Sequence, residues 1–184
     1  MKKLRVLLFT AFLLGTSAAI AQPYRMSIGG VLGTTEGVSF KMFLSPKLAF
    51  QADLGFKYGS YVYSHYYGPS YNWWFWTIEV NPNLKYQGNI HDWNAGGLDW
   101  FAGGGLSIGY VLNNTHPFDY YSGYYARSSR GKFGINAIGG VEFAFNKIPL
   151  ALQFDIRPGY GLLFGNGSIS FFDWGCNIGA RYTF

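Results

Sequence analysis

Few side chains of this sequence could act as a catalytic base. The three histidines are His65, His91 and His116. A lipid hydrolase needs a nucleophile, a histidine base and an orienting acid within hydrogen-bonding distance of one another. Ser64 directly precedes His65, but neighbouring side chains of an extended chain point in opposite directions. The other combination, His116 with Ser122 or Asp119, has no motif around it. The sequence therefore predicts that the protein is not an enzyme, with a lipid-modifying enzyme as an alternative.

Metal and nucleotide chemistry also lack a matching pattern. The sequence contains no ligand spacing typical of a metal site and no phosphate-binding fingerprint. The run Gly103-Gly104-Gly105 lies within a predicted strand, and no helix follows it to hold a phosphate. Cys176 is the only cysteine, so an intrachain disulfide is impossible. We expect no cofactor and no metal.

Charged residues, in contrast, recur at every second position of the predicted strands. Six positive and six negative residues share the polar face, so their charges sum to zero. Charges taken out of water must be paired and hydrogen-bonded, so we predict an enclosed network of ion pairs. A catalytic pair of carboxylates or a proton path is the alternative interpretation. The predicted network consists of Arg25, Lys41, Asp53, Lys57, Glu79, Lys85, Asp99, Glu142, Asp155, Arg157, Asp173 and Arg181.

Two long connecting segments carry candidate binding residues. The segment 59–75 is crowded with tyrosine and tryptophan, which suits the boundary between lipid headgroups and water or, alternatively, a ligand platform. The segment 113–132 carries Arg127, Arg130 and Lys132, which could pair with phosphates of lipopolysaccharide. A solvated loop without a ligand is the alternative for these three residues.

The last predicted strand, 170–184, shows what must position these residues. Its apolar side chains alternate with charged or small ones. Trp174 and Phe184 are separated by about 25 Å along a barrel axis if the strand is tilted by roughly 40°. This distance matches the height of the apolar band of an outer-membrane barrel.

Seven further segments alternate in the same way, which gives an even number of strands. Alternation alone also fits a water-soluble sandwich, so the aromatic strand ends and a signal peptide decide the interpretation. No part of the mature chain offers the roughly 18 apolar residues that a spanning helix needs. The predicted fold class is all-β, an eight-stranded antiparallel up-and-down transmembrane β-barrel preceded by a cleaved signal peptide. The seven segments are 24–32, 37–44, 48–58, 76–87, 98–112, 133–145 and 150–162.

The connections between these segments alternate in length. Short turns at 45–47 and 146–149 fall at one end and the two long segments at the other, as in outer-membrane barrels. The connection 88–97 departs from this pattern because it is long at the end of the short turns. Pro82 and Pro158 lie inside predicted strands, where each removes an N–H from the ladder, so we expect a β-bulge at each.

The amino terminus is typical of a secretory signal peptide. A basic start at 2–5 precedes an apolar stretch, and Ala19-Ile20-Ala21 fits the cleavage rule. The predicted domains are a signal peptide at 1–21 and a barrel domain at 22–184. Cleavage removes three of the 14 basic residues, which leaves 11 against nine acidic ones, a net charge of +2. No basic stripe remains, so nucleic-acid binding is not expected.

The chain resembles the small eight-stranded outer-membrane barrels of the OmpA/OmpX type, and especially the outer-membrane β-barrel domain proteins of Bacteroidetes. The signal ending Ala-Ile-Ala, the segment 154–160 and the carboxyl-terminal segment 177–184 carry the resemblance. It implies location in the outer membrane of a Gram-negative bacterium and insertion by the barrel-assembly machinery. That machinery reads a terminal aromatic residue with apolar residues at alternate positions before it, which here are Cys176, Ile178, Ala180, Tyr182 and Phe184.

Three functions remain open from the sequence. The expected one is a structural or surface-interaction protein with a side-chain-filled lumen, whose extracellular loops contact lipopolysaccharide, host or neighbouring proteins. A narrow pore or hydrophobic-solute conduit is the first alternative, and a lipid A-modifying enzyme is the second. The zero-sum lumen favours the structural role over the pore, and the lack of a catalytic motif favours it over the enzyme. The sequence does not indicate an oligomeric state.

Overall fold

The computed structural model describes residues 24–63, 71–112, 131–164 and 169–184. The signal peptide predicted at 1–21 lies outside these residues. So do the histidine and serine candidates at 64, 65, 116 and 122, Asp119, and the two arginines Arg127 and Arg130.

Eight strands follow one another along the chain. Each pairs antiparallel with its neighbours in sequence, and β1 also pairs with β8, so the sheet closes into a barrel. The predicted all-β, eight-stranded, antiparallel up-and-down architecture is confirmed. Among the described residues, no helix is long and apolar enough to cross a bilayer. The strands are β1 (Met26–Gly33), β2 (Thr35–Phe43), β3 (Leu48–Tyr63), β4 (Tyr71–Trp93), β5 (Gly96–Val111), β6 (Gly131–Phe145), β7 (Leu150–Phe164) and β8 (Ile169–Thr183).

The two ends of the barrel differ in their connections. The turn end carries Tyr24, Phe184 and the short connections β2–β3, β4–β5 and β6–β7. The loop end carries the other four connections. At the turn end, the N–H groups of Arg25 and Met26 donate to the carbonyl oxygen of Phe184 at 3.2 and 2.8 Å. These bonds join the two termini of the barrel and complete the ring.

The expectation of a long connection at 88–97 is wrong. Strand β4 continues to Trp93 and β5 begins at Gly96, so the turn has only two residues. The register shifts between Asn89 and His91, where Ile90 is an extra residue. A bulge of this kind interrupts the alternation of side chains, so the sequence pattern ends earlier than the strand does.

The expectation of a bulge at Pro82 and at Pro158 is also wrong. Pairing of Pro82 with β3 and of Pro158 with β8 continues in register. The pairing with the other neighbouring strand is interrupted at each proline. The β4–β5 ladder skips 81–82, and the β6–β7 ladder skips Ala137 and Ile138. The same register resumes beyond each gap. Each proline therefore interrupts the ladder that its missing N–H would have joined, and no extra residue is inserted as in a bulge.

The β1–β2 connection requires a glycine. Gly33 has a φ of 135°, and a Cβ there would lie 2.3 Å from the carbonyl oxygen of Cys176. The next residue, Thr34, is fixed to β8, since its N–H donates to that carbonyl at 3.0 Å and its Oγ1 accepts the N–H of Cys176 at 2.5 Å. These bonds close the ring near the loop end.

The two faces of the barrel wall have opposite chemistry. Among the residues whose burial the structure describes, 34 large hydrophobic side chains are each at least 38% exposed, whereas only 11 hydrophobic residues are buried. Twelve charged residues of the described strands are buried. Of the charged strand residues, only Glu36 and Asp92, close to opposite ends, are exposed. This distribution is the reverse of that in a water-soluble protein.

Candidate functional site: the ionic interior of the barrel

Strand alternation brings the buried polar side chains into three clusters along the barrel axis. The turn-end cluster is Tyr24, Lys41, Lys85, Gln87, Asp99, Glu142 and Arg181. The middle cluster is Gln51, Asp53, Gln153, Asp155, Arg157 and Asn177. The loop-end cluster is Lys57, Thr77, Glu79, Asn81, Lys132 and Asp173.

Glu142 is the centre of the turn-end cluster. The Lys41 ammonium lies 2.6 Å from its Oε1, and Arg181 forms an ion pair with its other oxygen. The hydroxyl of Tyr24 donates to Oε1, and the amide of Gln87 donates to the same oxygen at 3.2 Å. Both oxygens are therefore satisfied, as a buried carboxylate requires.

Lys85 is fully buried, but no carboxylate of the described residues lies within ion-pair distance of it. Its ammonium donates to the side-chain oxygens of Gln51 at 2.5 Å and Gln153 at 2.9 Å, and it lies 3.9 Å from the centre of the Phe101 ring. Asp99 likewise contacts amides and not a cation, accepting from Gln87 at 2.8 Å and Asn89 at 3.1 Å. For Lys85 and Asp99, the expectation of direct ion pairs is wrong because neutral amides take that position.

Arg157 holds the middle cluster together. Its Nε and Nη2 donate to the two oxygens of Asp155 at 2.6 and 3.0 Å, and its Nη1 lies 2.5 Å from Asp53. Gln51 donates to both oxygens of Asp53 at 3.0 Å, and Gln153 donates to Asp155 at 2.5 Å. Since the same two glutamines accept from Lys85, they connect the middle cluster to the turn-end cluster.

The loop-end cluster is a chain of alternating charges. Lys57 lies 2.7 Å from one oxygen of Asp173, and Lys132 lies 2.8 Å from the other. Lys132 also lies 2.6 Å from Glu79, which accepts from Thr77 at 3.3 Å and Asn81 at 3.1 Å. The assignment of Lys132 to a lipopolysaccharide contact is wrong, because β6 begins at Gly131 and directs this lysine inward, where it is 1% exposed.

Arg25 does not belong to the interior. It precedes β1 and is exposed, so its assignment to the network is wrong. The balance of six positive and six negative buried charges nevertheless holds, because Lys132 takes its place. Arg25 lies at the turn end, where the end of the strand removes the constraint that alternation places on side-chain direction.

Apolar side chains are buried at both ends of the barrel. At the turn end, Tyr24 packs with Phe43, Ala49, Ala144 and Ala151, and its ring meets that of Phe43 edge-on at 5.4 Å. Burial and the neighbouring Glu142 carboxylate raise the pKa of Tyr24 well above its usual range, so its hydroxyl stays a donor. Near the loop end, the buried apolar side chains include Val111, Leu163 and Phe171.

The residues of the predicted assembly signal lie on the outer face of β8 and just beyond it. Ile178, Tyr182 and Phe184 are exposed, and so are Cys176 and Ala180. The rings of Tyr182 and Phe184 lie 6.3 Å apart. These five side chains thus form one apolar strip that is open to the surroundings.

Apart from Lys132, the polar side chains that sequence reasoning left out of the network are neutral. Strand alternation was the available signal, since each of these side chains is at an inward position of its strand. The sequence prediction took only the charged residues of that face. His91 is exposed near the turn end, with its ring 4.6 Å from Trp93. Within the described part of the chain, no group of three or more potential metal ligands comes together. The amides missed are Gln51, Asn81, Asn83, Gln87, Asn89, Asn136, Gln153 and Asn177.

Comparison with known proteins gives no relative. No family model, no curated protein and no solved structure matches the chain.

Proposed function

We propose that this chain is an integral outer-membrane β-barrel with a filled lumen, and that it acts as a structural or surface-interaction protein through its extracellular loops. The observation that carries the proposal is the reversed polarity of the wall. Apolar patches on soluble monomers rarely exceed about 300–600 Å². The 34 large exposed side chains among the described residues include members of all eight strands, so the apolar surface surrounds the barrel. Hydrocarbon is the solvent that such a surface requires.

The interior supports a structural role in preference to transport. Glu142 and Asp173 each bind cations from two other strands, and Arg157 binds one carboxylate of β3 and one of its own strand. A solute would have to break several charge-assisted hydrogen bonds, each worth about 1.5–3 kcal/mol, to pass this region. A barrel of eight strands is also about wide enough for side chains alone to fill.

The remaining elements of the proposal concern location and partners. Residues 1–21 act as the signal peptide, and the loop end faces the outside of a Gram-negative cell, as the resemblance to OmpA/OmpX-type barrels implies. Arg127 and Arg130, which lie outside the described residues, are candidates for contact with lipopolysaccharide phosphates. The lipids of that membrane are its partners.

Fractionation tests this proposal directly. The full-length chain is expressed in a Gram-negative host, and the outer membrane is separated from inner membrane and soluble fractions. We expect the protein in the outer membrane, resistant to carbonate extraction, with a mass that corresponds to a chain starting at Gln22. We also expect its electrophoretic mobility to change on heating, because a closed barrel resists detergent until it is boiled. A detergent-free, monomeric protein in the soluble fraction contradicts the proposal.

Phe184 allows a test of the assembly machinery as a partner. Its backbone, and not its ring, joins β8 to β1, since its N–H donates to Met26 and its carbonyl accepts from Met26, both at 2.8 Å. Phe184→Asp keeps these bonds, so we expect severalfold less protein in the outer membrane but normal refolding of the purified chain in detergent. Phe184→Tyr is the matched control and accumulates normally. Normal accumulation of Phe184→Asp would contradict recognition of this residue.

A further inference from the structure

A groove of about 520 Å³ opens in the outer wall of the barrel between β6 and β7. Its sides are the outward residues Ile135, Tyr160 and Phe172. Its floor includes Asn136 and Gly159, which stand at inward positions of their strands. The groove therefore reaches the level of the sheet between the outward side chains.

The position of the groove has a cause in the backbone. It lies where the β6–β7 ladder skips Ala137 and Ile138, next to Pro158, which also lines it. In the continuing register, Pro158 would face Ala137. Proline has no N–H, so it cannot donate to the carbonyl of Ala137 as another residue would.

The floor of the groove offers hydrogen-bonding groups at the middle of an apolar wall. The side-chain amide of Asn136 donates to Asn83 at 2.6 Å and lies 3.5 Å from the carbonyl oxygen of Ala137, at the limit of a hydrogen bond. Asn136 is half-buried, whereas Lys132 and Ile138 on the same face of β6 are buried. Because Pro158 supplies no N–H, the carbonyl oxygen of Ala137 can accept a further hydrogen bond, which the hydrocarbon of the proposed membrane does not supply.

We propose that this groove is a binding site for a lipid acyl chain that carries a hydroxyl group, with the hydroxyl donating to the carbonyl oxygen of Ala137. The inference rests on the proposed membrane location, because only there do acyl chains surround the groove. Ala137 and Gly159 leave room for a chain between the larger side chains, and Tyr160 and Phe172 form its apolar walls. A volume of this size lies within the usual range of small-molecule pockets, about 300–1,000 Å³.

The hydroxyl distinguishes this ligand from the bulk of a bilayer. An unsubstituted chain can fill the groove but cannot satisfy the carbonyl. One hydrogen bond to a buried acceptor corresponds to a preference of about fivefold to tenfold for the hydroxylated chain. The source of the ligand is the surrounding membrane, so no soluble carrier is required.

The test compares two saturated fatty acids of equal chain length, one hydroxylated at the middle of the chain, at the depth of Ala137 in β6, and one unsubstituted. Binding to the full-length mature protein in detergent micelles is measured by native mass spectrometry. We expect the wild type to prefer the hydroxylated chain by about fivefold to tenfold. Pro158→Ala restores an N–H to the ladder and abolishes the preference, and Ala137→Trp fills the groove and abolishes binding of both chains. Ala52→Trp, an outward alanine on the opposite side of the ring, is the matched control and leaves both affinities unchanged.

The outcomes separate the two proposals. If the protein is in the outer membrane and heat-modifiable but binds both fatty acids equally, the lipid site is wrong and the proposed function stands. An equal effect of Ala137→Trp and Ala52→Trp also overturns the site, because binding then reflects general contact with the wall. If the protein is soluble without detergent, the proposed function fails whatever the fatty acids do.

Discussion

Glu142 is the residue on which the turn-end cluster depends most. It neutralises Lys41 and Arg181 at once, in a region where neither cation has another carboxylate within ion-pair distance among the described residues. Glu142→Gln leaves both cations buried and undercompensated, so we expect it to lower the free energy of unfolding by about 3–5 kcal/mol. Urea unfolding in lipid vesicles, followed by tryptophan fluorescence, measures the change.

Asp92→Asn is the control for this experiment. Asp92 is an exposed carboxylate at the turn end and accepts from Asn89 at 2.9 Å. Since exposed polar contacts contribute little, we expect a change within about 0.5 kcal/mol. Similar losses in the two variants would mean that Glu142 is not an organising group.

Lys85 and Lys41 are both fully buried, but only Lys41 has a carboxylate partner. Lys85→Met removes a charge that only amides and the Phe101 ring compensate, and methionine keeps the contact with that ring. Since the variant no longer buries a desolvated charge, this gain offsets the lost hydrogen bonds. We therefore expect the unfolding free energy to change by no more than about 1 kcal/mol. Lys41→Met leaves Glu142 undercompensated and should cost about 3–5 kcal/mol in the same assay. Equal costs for both variants would refute this distinction.

The interior was predictable from the sequence as a set of charges but not as a set of contacts. Strand alternation placed eleven of the twelve selected charged residues inside, because a buried strand fixes which residues share a face. It failed for Arg25 and Lys132, both close to an end of a strand, where one residue of error in the boundary decides the environment. The bridging glutamines were missed because which amide reaches which ion depends on the stagger of neighbouring strands, and the sequence does not show that stagger.

The strands direct apolar side chains outward and charged side chains inward, so we expect a charged residue on the outer face to lower the stability of the barrel. Ile156 lies on the outer face of β7, and Ile148 lies in the β6–β7 turn; they are 40% and 49% exposed. In the proposed membrane, Ile156→Arg lowers the unfolding free energy by about 2–4 kcal/mol, and Ile148→Arg by about 0–1 kcal/mol. Vesicle unfolding in urea checks both values. A soluble barrel would tolerate both substitutions alike, since the two side chains have similar exposure.

The order and pairing of the strands followed from alternation, but their ends and irregularities did not. The extra residue Ile90 broke the alternation of β4, so the pattern suggested a loop where a bulged strand continues. Pro82 and Pro158 each suggested a bulge, because sequence alone does not reveal which neighbouring strand the missing N–H faces. In both strands the missing N–H faces the interrupted ladder, which is β4–β5 for Pro82 and β6–β7 for Pro158. The intact ladder with the other neighbouring strand preserves the register.

For the whole molecule, the buried charges of the described residues balance within two parts of the interior. Among the buried charged residues, the turn-end cluster contains three cations and two anions, and the middle cluster contains one cation and two anions. Gln51 and Gln153 connect these two clusters, so together they are neutral. The loop-end cluster contains two of each sign and is neutral by itself. A conduit selective for ions of one sign would require an excess of the opposite charge, which these clusters do not provide.

Conductance follows from how the interior is filled. Tyr24 and its apolar neighbours are buried together at the turn end, and the three clusters lie in the interior beyond them. We therefore expect the purified protein, inserted into a planar bilayer, to show no stepwise ionic current above the leak of the bare membrane. An open porin in the same bilayer is the positive control, and heat-modifiable mobility of the reconstituted sample confirms that the barrel is folded. A steady current proportional to voltage would mean that water crosses the ion pairs, and it would favour the narrow pore over the structural role.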